Sequence, residues 1–113
     1  MACDRFVRWE DVSKKPTSMQ VREVLEDYLG FGGWIYNNED DWFTVQLPGL
    51  YSHPLRRQNT HISDAHGERF FEVCCIHDDS IDVITRLADE FTNNVADGFA
   101  KLIARWFEGN LDE

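Results

Sequence analysis

From Leu87 to Phe107 apolar residues recur at helical spacing for roughly six turns, and this run constrains the fold more than any other stretch of the chain. Leu87, Ala88, Phe91, Val95, Ala96, Phe99, Leu102, Ile103, Trp106 and Phe107 cover about half of the helix circumference, whereas a surface helix needs an apolar stripe of about 100°. So wide an arc has two flanks to bury. Either the helix lies across a sheet with a second helix beside it, or one flank meets another chain. Gly98 sits inside the arc and weakens the helix by about 1 kcal/mol relative to alanine, so a strand or a second helix is expected to approach closely there. Asp89 and Glu90 near the start, and Lys101 and Arg105 near the end, complement the helix dipole. Thr92, Asn93 and Asn94 are poor helix formers, and a kink with Asn94 capping a second helix is the alternative to one unbroken element.

The residues ahead of this helix alternate instead. Phe71, Val73 and Cys75 share one face of a strand predicted from Glu68 to Ile76, His77-Asp78-Asp79-Ser80 forms a polar turn, and Ile81–Thr85 returns as a second strand. An earlier hairpin pairs Trp34-Ile35-Tyr36 with Trp42–Leu47 across the turn Asn37–Asp41. Phe43, Val45 and Leu47 alternate with polar residues in its second arm, and Pro48-Gly49 ends it. Thr17 and Gln20 have the spacing of a capping box, and Val21, Val24, Leu25, Tyr28 and Leu29 follow at helical spacing up to Gly30. Phe6, Trp9 and Val12, behind Asp4, suggest a short helix or arm within residues 1–16. Residues 48–67 lack periodicity and read as a long polar loop, unless a short strand lies near Asn59–Ser63. The predicted fold is a single α+β domain over residues 1–113. It has a four-stranded antiparallel sheet with two main helices on one face, in the order α-β-β-β-β-α.

A chain of 113 residues with 15 aromatic side chains can bury one core without metal or disulfide support. Twenty-one acidic against eleven basic residues give a net charge of −10, which opposes binding to nucleic acid or an anionic membrane and suits a basic partner. There is no signal-peptide pattern after Met1 and no apolar run of about 18 residues, so a cytoplasmic protein without a membrane span is expected. Cys3, Cys74 and Cys75 make an odd count, and neighbouring cysteines on a strand point to opposite faces. Reduced thiols are therefore expected.

Candidate chemistry is sparse. His53, His61 and His66 lie with Arg56 and Arg57 in the 48–67 segment and form the one basic, titratable island, a candidate ligand-binding site. Their spacing matches no zinc motif, so neither a metal nor a cofactor is expected. Cys75 and His77 would share a strand face if that strand continued, but a buried thiol beside a polar turn explains them as well. The carboxylates of Glu39-Asp40-Asp41 and Asp78-Asp79 fall in predicted turns, which expose them to water, whereas acid–base work by a carboxylate pair needs a cleft. No catalytic residue is assigned. Trp34, Tyr36 and Trp42 crowd one hairpin whose core side Ile35, Phe43 and Val45 already fill, so some of these rings are expected at a surface. With Phe99, Ile103, Trp106 and Phe107 of the long helix they are the candidate interface residues. The function expected is a non-catalytic protein-binding module of adaptor, chaperone or inhibitor type that forms a homodimer, its partner being a second copy or another protein. The alternative is a small enzyme or ligand-binding protein using the His/Arg segment.

Overall fold

The computed structural model describes residues 2–30, 34–47, 69–86 and 88–112. Within them the chain is α+β, with two α-helices and a six-stranded antiparallel sheet. The strands are β1 (Ala2–Arg8), β2 (Trp34–Glu39), β3 (Trp42–Gln46), β4 (Phe70–Cys74), β5 (Ser80–Arg86) and β6 (Asn110–Asp112), and the helices are α1 (Ser18–Leu29) and α2 (Glu90–Trp106). The spatial order β2-β3-β4-β5-β1-β6 makes a four-strand meander from the predicted strands and adds the two ends of the chain beside it.

The expectation of four strands is thus corrected to six, and the short helix or arm within residues 1–16 to a strand. Ala2–Arg8 runs opposite Ser80–Arg86, with Phe6 facing Asp82, and its other edge takes β6, with Val7 facing Leu111. Val7 and Trp9 point into the core. A single 3₁₀ turn at Val12–Lys14 is the helical remnant, capped by the Asp11 carboxylate. That carboxylate is held below its usual range by hydrogen bonds from Ser13.

Both helices start where their caps dictate. Thr17 Oγ1 accepts from the Gln20 amide at 3.2 Å and Gln20 Oε1 accepts from the Thr17 amide at 2.9 Å, the reciprocal box read from the sequence. Asp89 Oδ1 accepts from the Thr92 amide at 2.8 Å, so α2 begins after Asp89 and Thr92-Asn93-Asn94 fall within its opening turns. Burial acts to raise the Asp89 carboxyl, but donation from Thr92 and from Arg69 outweighs it and holds the group below its usual range. The helix runs unbroken from Glu90 to Trp106, without a second cap at Asn94.

The core lies between the helices and one sheet face. Val7, Phe43, Val45, Phe71, Val73, Ile81 and Val83 point inward and meet Val21 and Leu25 of α1 and Ala96, Phe99, Ala100 and Ile103 of α2. Gly98 admits α1. A Cβ at Gly98 would lie 2.4 Å from the Tyr28 hydroxyl oxygen, which donates to the Val95 carbonyl at 3.0 Å. At its far end α2 closes on Trp9, whose Nε1 donates to the Phe107 carbonyl at 2.8 Å. Glu108 then takes φ 58° and the Gly109 amide reaches the Ala104 carbonyl at 2.8 Å, a left-handed stop that turns the chain into β6.

Candidate functional site

The sheet has a second face, which no helix covers among the described residues. Alternation sends Trp34, Tyr36, Trp42, Phe70, Ile84 and Phe6 to it, opposite the inward Ile35, Phe43, Val45, Phe71, Val83 and Val7. Register aligns them in rows across the strands. Trp34 faces Gln46 and then Phe70, Tyr36 faces Thr44 and then Glu72, and Trp42 faces Cys74, Asp82 and Phe6 in turn.

The two halves of this face differ. On β5 and β1 the arginines of this face are internally engaged: Arg86 Nε lies 3.1 Å from Glu72 Oε2, Arg8 Nε lies 2.8 Å from Asp112 Oδ2, and the Arg8 guanidinium stands over the Phe6 ring. At the β2 end the rings stand open, with Trp34 49% and Tyr36 55% exposed. Trp42 is half-buried, and its indole N–H has neither solvent access nor a hydrogen-bond partner. Asp82 Oδ1, two strands away in the same row, is likewise buried and unpartnered. Burial raises the Asp82 carboxyl above its usual range, although His77, 3.9 Å from Oδ2, pulls the other way.

The remaining predicted interface residues separate. Phe99 and Ile103 have no exposed surface and belong to the core, so they are withdrawn as interface candidates. The middle of the apolar arc is used within the chain, by the sheet on one flank and by Tyr28 of α1 on the other, while Phe91 and Trp106 stay exposed. Phe107 is half-buried against that core and caps α2. Trp106 is 69% exposed and lines a groove of about 240 Å³ between the helices with Val24, Asp27, Tyr28 and Leu102, on the helical side of the molecule and away from Trp34 and Tyr36. Phe6, Phe70 and Ile84 are open-face residues that the sequence did not mark as such, Phe6 having the spacing of a short helix. They are the apolar members of strands whose other alternate residues are equally apolar or charged, so no polar face marked them.

Cys75 and His77 do not form a pair. Cys75 faces the core and its thiol is pushed up to about 12 by burial, whereas His77 is exposed and neighbours Asp82 of the open face. A thiol so held carries no useful thiolate at neutral pH. Asp40 and Asp41 form the β2–β3 turn with Asp41 at φ 65°, its carbonyl accepting from the Cys75 amide at 2.7 Å and its carboxylate from the Ser18 hydroxyl. These are turn-building duties. Among the described residues no group of three or more His, Cys, Asp or Glu side chains is placed to hold a metal ion, and no helix is long and apolar enough to cross a membrane. His53, Arg56, Arg57, His61 and His66, with the whole 48–67 segment, lie outside the described residues. Compared with family models, curated proteins and solved structures, the chain matches none.

Proposed function

We propose that this chain is a cytoplasmic, non-catalytic protein-binding module whose docking surface is the β2–β3 end of the open sheet face. The observation that carries the reading is the exposure of Trp34 and Tyr36 side by side on an edge strand, on the face that neither helix covers. Large rings add much contact area for few rotatable bonds, which is why they concentrate at binding surfaces. Half-buried Trp42 extends the patch inward. A foreign protein is the favoured occupant, because a net charge of −10 on each copy opposes self-association.

The test compares the native chain with the Trp34→Ala/Tyr36→Ala double variant by light scattering and by retention of cellular proteins. The variant is expected to keep its melting temperature within a few degrees, since both rings are half exposed, and to lose a stoichiometric partner that the native chain retains. A native chain that is strictly monomeric and retains nothing, or that retains the same partner as the variant, would overturn the reading. A homodimer dissolved by the double variant would keep the surface and change its occupant to a second copy.

A further inference from the structure

We propose that the outer edge of β2 is a strand-addition site for an extended segment of a partner protein that carries lysine or arginine at alternate positions. This rests on the protein-binding reading above and names the partner's chemistry. β2 ends the sheet, and among the described residues its outer edge has no ladder partner. An edge strand offers a row of backbone donors and acceptors, which proteins guard with lysine, proline, bulges or a cover. The bulge in β2 falls between Asn37 and Glu39, at the turn. Trp34-Ile35-Tyr36 stays in regular register opposite Gln46, Val45 and Thr44, with no lysine or proline.

What flanks this edge selects the added strand. On the open face stand Trp34 and Tyr36, against which alternate side chains of a neighbouring strand would pack. On the helix side is a recess of about 440 Å³ lined by Met19, Arg22, Asn37, Glu39, Asp40 and Asp41. Its one cation is committed: Arg22 donates to Asn37 Oδ1 at 2.7 Å and to Glu26 at 3.2 Å, and its guanidinium stands over the Phe43 ring. Among the described residues no ion pair reaches Glu39, Asp40 or Asp41. A strand with period two therefore fits with cations entering the recess and apolar groups lying on the rings. A second copy does not satisfy this pattern, since β2 itself has no basic residue and each copy carries −10.

The experiment uses the full chain and three synthetic heptapeptides: alternating lysine and valine, the same peptide with alternate backbone amides N-methylated, and alternating glutamate and valine. The lysine–valine peptide is expected to shift tryptophan fluorescence and to slow amide exchange in β2. Its affinity should fall about tenfold or more between roughly 50 and 500 mM salt, and the other two peptides should bind at least about tenfold more weakly. Equal binding of the glutamate peptide overturns the charge assignment. Binding without protection of β2 amides, or undiminished by N-methylation, overturns strand addition, as does no binding at all. Self-pairing of β2 between two copies, read as a dimer that tightens with salt, also overturns it. If these arms fail while the Trp34→Ala/Tyr36→Ala variant still loses a retained partner, the docking surface stands and only its mode is wrong.

Discussion

Gly98 shows how one missing methyl group joins two helices. The Tyr28 hydroxyl occupies the space a Cβ would need, and the Tyr28 ring packs on Phe99 with centroids 5.7 Å apart. Gly98→Ala should gain about 1 kcal/mol of helix propensity and lose the Tyr28–Val95 hydrogen bond, worth about 1 kcal/mol, so it should come out nearly neutral. In a Tyr28→Phe background the next atom is 3.5 Å away, an ordinary contact, and the same substitution should stabilise by about 1 kcal/mol. Denaturant titration of the four chains measures the coupling; strictly additive effects would show that Tyr28 does not fill that space. Asp82 makes a second prediction at this scale. Burial raises its folded-state pKa, so the folded protein ionises it less readily than the unfolded chain does. Stability is therefore lost as pH rises above the ordinary value of 3.8 and is unaffected well below it. Asp82→Asn should raise the melting temperature at neutral pH, and the gain should vanish in acid; a gain independent of pH would show that ionisation is not its source.

At the level of elements, legibility followed the polarity of the buried face. β3 and β5 could be read because Phe43, Val45 and Leu47, and Ile81 and Val83, alternate with polar residues. β1 could not, because its inward series is Arg5, Val7, Trp9: a buried arginine breaks the apolar rhythm, and outward Phe6 with Trp9 and Val12 imitates helical spacing. The three residues of β6 are too few to show a period at all. The same arginine holds α2 onto the sheet. Arg5 pairs with Asp97 and donates to Thr85 Oγ1 at 3.2 Å and to Asn93 Oδ1 at 3.1 Å. The two ends of this network are unequal, since the Arg5 side chain is 10% exposed and that of Asp97 47%. Removing the carboxylate withdraws a counter-charge from a largely buried cation, whereas removing the cation leaves a carboxylate that water can reach and a Thr85–Asn93 hydrogen bond of 2.7 Å intact. Asp97→Ala should cost about 3 kcal/mol and Arg5→Met only about 1 kcal/mol in denaturant titrations. The reverse order would mean that Arg5 contributes chiefly by packing.

For the molecule as a whole, β1 fastens the two ends of the chain together. It brings residues 2–8 against residues 80–86 and 110–112, and through Trp9 it seats the end of α2. The predicted four-strand order captured the meander because its connections are short, while the pairing of β1 with β5 crosses most of the sequence and leaves no local signature. Removing residues 1–9 strips Val7 and Trp9 from the core, each worth about 1.5–3 kcal/mol of burial, and with them a seven-residue ladder and the Arg5 network. Losses of that size reach the 5–15 kcal/mol that typically separates a folded domain from its unfolded chain. The truncated protein should show no cooperative thermal transition. Removing residues 110–113 takes away a three-residue edge strand and one half-buried leucine, Leu111, so that chain should melt cooperatively with a loss of about 1–2 kcal/mol. Circular dichroism melts of the two truncations decide the matter. Restoration of the transition by a synthetic peptide of residues 1–9 would show that the rest of the sheet holds a place for β1; a truncated chain that already folds without it would show the meander and its helices to be sufficient.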